Sequence, residues 1–270
     1  MSGRASSRTL LPAWTLARRE LVRFIRQRNR VVGALAQPLL FWAIFGSGLN
    51  ASFRPSTGAE GISYMEYFFP GTVVLILLLT AIFATISIIE DRNEGFMQSV
   101  LVSPVRPLGI VLGKLAGTST LAVTQALLIF LLAPVVGLEL SAKAVATAIP
   151  VLILIAVGLT ALGFTIAWYS DSTQGFHAVM TAFLMPMWFL SGAFFPAAGL
   201  PAWLGWIVAA NPLTYGLGAL RHVLYSADPA TVAGLPSFAT CLGVSAAFSL
   251  AAFAAALVAA HRPRTAIHGR

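Results

Sequence analysis

Of the 270 residues, 58% are hydrophobic and only 10% are charged, against about 25% charged in a soluble domain, so composition argues against a water-soluble fold. The net charge of +8 invites a nucleic-acid reading. The basic residues lie beside long apolar runs, however, and account for membrane orientation first, so no nucleic-acid partner is expected. The single cysteine, Cys241, rules out an intrachain disulfide and a multi-cysteine metal site, and its apolar surroundings make packing its expected role.

In chain order, residues 1–30 form a leader with eight arginines. On a wheel of about 100° per residue, Trp14, Ala17, Leu21, Phe24 and Ile25 share one sector and Arg19, Arg23, Arg26 and Arg30 the opposite one. This predicts an amphipathic helix in the membrane interface, apolar face down and arginines toward headgroups or a partner. Arg18 and Arg28 border the apolar sector, and Leu16 falls outside it. A basic leader before an apolar run also resembles a signal peptide. Its length of about 30 residues, with Gln37 and Pro38 inside the run, favours an uncleaved first span.

A spanning helix needs about 20 mainly apolar residues. Spans are predicted near 31–49, 69–89, 108–132, 144–169, 176–195 and 236–260, giving a six-span domain over 31–270. Six crossings put 14 of the 17 Lys and Arg on one side. Basic loops stay cytoplasmic, so both termini are expected there, leaving Arg54, Lys143 and Arg221 outside. Tyr64, Tyr67, Phe68, Phe69, Trp203 and Trp206 suit an outer aromatic belt, with Trp168 and Tyr169 at the inner one.

No Asp, Glu, Lys or Arg falls deep within a predicted span; Lys114 is close enough to an end to snorkel. Ion-coupled transporters and intramembrane enzymes commonly place ionisable groups at that depth, so neither class is favoured. His177, His222, His261 and His268 are scattered and form no metal-ligand motif. Residues 109–114 echo a phosphate-binding loop, but the first glycine is misplaced and Leu115 stands where Ser or Thr would hold magnesium. No catalytic or metal site is expected, and energy for uphill transport must come from a partner.

Two polar or broken segments stand out. After the second span, Glu90, Asp91, Arg92, Glu94 and Gly95 precede Phe96, Met97, Val100 and Leu101, whose spacing gives a short apolar helical face that Pro104 and Pro107 end. Such a helix suits a groove on a soluble partner, although by spacing alone an ordinary solvated loop is the favoured reading. After the fifth span, Ser191-Gly192-Ala193-Phe194-Phe195-Pro196, Leu200-Pro201, Asn211-Pro212-Leu213-Thr214-Tyr215 and Arg221 are too apolar for a free loop and too broken for a span. They predict re-entrant helices in the outer leaflet.

The arginine-rich leader, the acidic loop and this ordered outer series resemble, over nearly the whole chain, the membrane subunits of ABC exporters of the type 2 permease class. Members include drug, lipid and polysaccharide exporters. The resemblance implies an all-helical half-transporter in a bacterial inner membrane. It would pair with a second permease subunit, identical or not, and with two cytoplasmic ATPase subunits that hold ATP and magnesium. The leader becomes a connecting helix, and Glu90, Asp91, Arg92, Glu94, Gly95 and Phe96 become candidates for ATPase contact. The second and fifth spans would line the substrate path, making Thr80, Phe83, Thr85, Phe183, Met187 and Trp188 candidate path residues and Phe194 and Phe195 candidates for an outer gate. An amphipathic, drug-like or lipid-like cargo is expected, because no charge at depth is available to bind an ion. A polysaccharide or glycolipid cargo, a lone secondary transporter and a membrane-embedded lipid enzyme are the alternatives.

Overall fold

The computed structural model describes residues 2–50, 62–96, 105–196, 200–226, 229–232 and 234–261. Among them there is no strand. Nine α-helices follow in order: α1 Ser2–Arg26, α2 Arg28–Leu49, α3 Tyr64–Asn93, α4 Pro107–Ile129, α5 Ala142–Tyr169, α6 Thr173–Trp188, α7 Ala202–Ala210, α8 Pro212–Leu224 and α9 Phe238–His261. A 3-10 turn, Phe130–Val136, extends α4, and a π turn, Phe189–Ala193, extends α6. Six of these units, built on α2, α3, α4, α5, α6 and α9, are long and apolar enough to cross a membrane. Each overlaps one of the predicted spans.

The helix ends follow local chemistry. Ser63 caps α3 by accepting a hydrogen bond from the Glu66 amide at 3.0 Å, and Glu66 at the third helical position completes a capping-box sequence. Ser141 and Ser172 cap α5 and α6 in the same way, while α4 opens on Pro107, whose missing N–H costs nothing there. Glu90 and Asp91, assigned to a loop by sequence, belong to the last turn of α3.

The bundle is built around α3. Of its most apolar window, 94% is buried, against 22% for α2 and 28% for α9; a helix apolar on every face belongs in a core. It packs against α2, α4, α5 and α6, while α9 covers α5 and α8. The leader helix α1 lies along α4. Gly109, Gly113 and Gly117 form the track that admits it: a Cβ at Gly113 would meet the Ala13 carbonyl at 2.7 Å, and one at Gly117 the Ala17 carbonyl at 2.8 Å. The glycines read as an echo of a phosphate loop are therefore a helix-packing surface, where small residues let two backbones approach.

The packing corrects the wheel. Thr9, Leu16, Ala17, Glu20 and Phe24 are the buried positions of α1, whereas Trp14 and Ile25 are 68% and 62% exposed. Leu16, placed off the apolar sector, meets Gly113 of α4. The helix thus has two apolar faces, one against the bundle and one turned away from it.

Candidate functional site

Where α1, α2, α3 and α4 meet, eight charged side chains converge: Arg19, Glu20, Arg23, Arg30, Glu90, Asp91, Glu94 and Lys114. Asp91 is the hub and has no exposed surface. Arg19 grips its carboxylate with both terminal nitrogens at 2.6 and 2.9 Å, Arg23 donates at 2.6 Å and Lys114 at 2.5 Å. Lys114 also donates to Glu20 at 2.6 Å and to Ser87 at 3.0 Å, and Ser87 donates to Glu20 at 2.6 Å. Arg23 reaches Glu90 at 2.9 Å and Glu94 at 3.5 Å, while Arg30 pairs with Glu90. Four cations meet four carboxylates, so the group carries no formal net charge.

Burial requires this arrangement. An unpaired ion away from water costs several kcal/mol, and it persists only when opposite charges and hydrogen bonds surround it. Bidentate guanidinium–carboxylate contacts are among the strongest available. The hydrogen bond to Asp91 is the main reason the Arg19 pKa is raised above its ordinary value. The same guanidinium lies 3.8 Å from the centroid of the Phe96 ring, a favourable cation–π position. Arg92 leaves the cluster and donates to the Trp168 carbonyl at 2.9 Å and to that of Ser170, where a cation offsets the partial negative charge at the end of α5.

Several sequence expectations change here. Lys114 does not snorkel: it is buried within the four-helix junction. Arg19, Arg23 and Arg30 turn inward to this chain's own acids, and of the four connecting-helix arginines only Arg26 is exposed. Asp91 has no surface to offer a soluble partner; Glu94 is exposed, and Arg92, Gly95 and Phe96 are half-buried. Positions 97–104, Arg54 and the tail at 262–270 lie outside the described residues. Sequence reasoning passed over Glu20. It is the only acid among residues 1–50, and Lys114 is the only charge in the third predicted span. A lone acid in an arginine-rich leader and a lone lysine in an apolar span were the signal that could have paired them.

The candidate path residues divide. Thr80 is buried and donates to Gln125 of α4 at 2.6 Å; Thr85 is buried and returns its hydroxyl to the Ala81 carbonyl. Trp188 is buried and donates to the Gly71 carbonyl at 2.8 Å. All three side chains are buried and hydrogen-bonded within this chain. Phe83 is half-buried and stacks on His177 of α6 at 5.7 Å, Met187 is half-buried and Phe183 is 55% exposed. His177 also lines a cleft of about 710 Å³, with Arg30 from α2, Ile86 and Glu90 from α3, and Gln174 and Thr181 from α6.

At the other end of the bundle, α6 breaks at the π turn, where Gly192 takes φ 81°, a left-handed value that favours glycine. Side chains from other elements satisfy the carbonyls around the break. Asn211 donates to Met187 at 2.6 Å, Tyr67 and Arg221 to Gly192 at 2.7 and 2.9 Å, and Tyr64 to Phe194 at 2.8 Å. Arg221, expected in an outer segment, is thus buried, and it stacks over Tyr67 at 4.2 Å. Phe194 is half-buried in a ring cluster with Phe45, Tyr64, Phe68 and Phe189, and Phe195 is half-buried beside it.

Transport permease ycf38, the name carried by a Cyanophora paradoxa protein, is 28% identical over 216 residues, 79% of this chain and 73% of the relative. Nodulation protein J of Rhizobium leguminosarum bv. viciae is 26% identical over 204 residues, 75% and 77% of the two chains. The daunorubicin resistance ABC transporter permease protein DrrB1 of Streptomyces coeruleorubidus is 23% identical over 229 residues, 82% and 76%. The model of the ABC-2 type transporter family matches residues 13–225, which hold the C-terminal half of the leader helix, the charge cluster and the capped break in α6. The chain is a multi-pass membrane protein that belongs to the ABC-2 type transporter family.

Proposed function

We propose that this chain is the membrane-spanning subunit of an ATP-driven exporter. It works with a second permease subunit and two cytoplasmic ATPase subunits that hold ATP and magnesium. Both termini would face the cytoplasm of a bacterial cell, across its inner membrane. The observation that carries the reading is the charge cluster. Arg19, Arg23, Asp91 and Lys114 tie the leader helix, the acidic end of α3 and the start of α4 into one unit. A push on the acidic segment from a partner therefore reaches two spans and the leader together. Glu94, Gly95 and Phe96 are the residues through which a partner would deliver it, since they retain exposed surface, and Asp91 positions them from inside.

Alternating access would follow as partner ATPases close on ATP and reopen after hydrolysis. This chain's part is mechanical, and it binds cargo without chemistry. The cleft beside His177 combines polar groups with an apolar wall from Ile86 and Ala178, a lining that suits an amphipathic cargo. The Streptomyces relative is named for resistance to daunorubicin, which supports a drug-like molecule as the cargo class here. The short helices α7 and α8 would re-enter the outer leaflet, with the capped break at Gly192 beside the outer gate.

The test is co-expression with a cognate ABC ATPase. A stable complex with cargo-stimulated hydrolysis supports the reading. Glu94→Lys is expected to leave the complex folded and to reduce export per ATP hydrolysed at least tenfold. Efflux by the purified chain alone, driven by an ion gradient, would overturn it.

A further inference from the structure

The six arginines between residues 18 and 30 divide into two sets. Arg19, Arg23 and Arg30 are consumed by Glu90, Asp91 and Glu94. Arg18, Arg26 and Arg28 are exposed and enter no ion pair among the described residues. Their surroundings are apolar: Leu11, Trp14 and Ile25 are 68%, 68% and 62% exposed and Val22 is 41% exposed. At about 100° per residue, Leu11, Trp14, Arg18, Val22 and Ile25 fall within one sector of α1, with Arg18 at its middle. Arg26 and Arg28 stand at the C-terminal end of the same helix and just beyond it.

We propose that this outward face of α1 binds the phosphate headgroups of anionic membrane lipids. Charge selects the occupant. Glu20 is the only acid in the first 50 residues and it is buried against Lys114, so nothing acidic on the leader competes for the three arginines. Apolarity selects it further, because an exposed Trp and three large aliphatic side chains flank Arg18 on a chain with six spanning helices. A helix of this kind lies at the level of the headgroups, with long cationic side chains reaching the phosphates. About 1 kcal/mol per basic residue, near fivefold in affinity, is the usual electrostatic contribution at an anionic leaflet.

The consequence for transport rests on the coupling function proposed above. The bundle side of α1 is fixed to α4 by the glycine track and to Asp91 by Arg19 and Arg23. Lipid charge on the outward side therefore sets the level of the helix, and with it the position of the acidic segment that a partner would push.

The experiment measures lipid retention on the full chain in nanodiscs, independently of any ATPase, using phosphatidylglycerol and phosphatidylcholine at equal mole fraction. The wild-type chain should retain phosphatidylglycerol preferentially by mass spectrometry of the released complex. Arg18→Gln, Arg26→Gln and Arg28→Gln should each reduce that preference about fivefold, and the triple Lys variant should keep it. Soluble glycerol phosphate should not displace the lipid. The proposal fails if the wild type shows no headgroup preference or if the triple Gln variant keeps it. It fails equally if glycerol phosphate competes, which would mark a free-phosphate site, or if the triple Gln variant loses ATPase capture while retaining phosphatidylglycerol, which would assign the face to a protein. Preserved lipid preference with no dependence of coupled transport on phosphatidylglycerol leaves lipid binding intact and counts against the coupling function instead.

Discussion

Lys114 is the side chain whose role changed most between sequence and structure. From an assumed span end with access to water it moved to a buried position, held by Glu20, Ser87 and Asp91. Lys114→Met leaves Glu20 without its main cation, while Asp91 keeps Arg19 and Arg23. The expected loss is about 3 kcal/mol, the lower end of the cost of breaking a buried ion pair, read as a fall in melting temperature of the purified chain. Lys114→Arg keeps the charge and should recover most of that loss. Arg221 presents the same logic at the other end. Arg221→Leu removes a donor from the Gly192 carbonyl, which retains the Tyr67 hydroxyl. A loss of about 1 kcal/mol is expected, and Tyr67→Phe in addition should cost more than either change alone.

The partnership of α1 with α4 decides what the leader is. Its composition alone describes a free amphipathic helix; the glycine track makes it a fixed member of the bundle. Gly113→Leu places a side chain where the Ala13 carbonyl and Leu16 Cβ already stand at 2.7 Å, and backbone cannot yield as a flexible side chain can. The leader should separate from α4. A Thr9→Cys, Gly109→Cys pair, placed where a Cβ at Gly109 would lie 3.1 Å from the Thr9 carbonyl, a contact that a shift of a few tenths of an ångström relieves, should cross-link in a Cys241→Ala background and fail to do so once Gly113→Leu is added. Undiminished cross-linking would show that the track is not what holds the two helices. At this scale much was legible beforehand: the six apolar runs follow from local composition, whereas the serine caps and the start of the break in α6 emerged only from the structure. Packing directions were not legible either, because the wheel of α1 ranks side chains by polarity alone. Glu20 is polar yet buried, and Trp14 is apolar yet exposed.

For the whole molecule, the charge cluster joins segments that lie about 70 residues apart in the chain, Arg19 and Asp91 among them. If the junction transmits force, weakening its hub should loosen communication before it loosens assembly. Asp91→Asn is expected to retain ATPase capture while export per ATP falls at least tenfold; loss of capture with normal stability would instead assign Asp91 a direct docking role. By itself the sequence determined the class of the protein: an all-helical membrane chain, its number of apolar spans and the lopsided distribution of its arginines. Hydropathy and charge bias are properties of segments, and segments carry them before folding. Only the tertiary structure decided which arginines are spent inside the chain and which remain outside. It also decided that Thr80, Thr85 and Trp188 pack within the bundle and that Lys114 belongs to an ion network. Those outcomes depend on which helix lies beside which, and a buried charge takes its role from the partner that the fold brings to it.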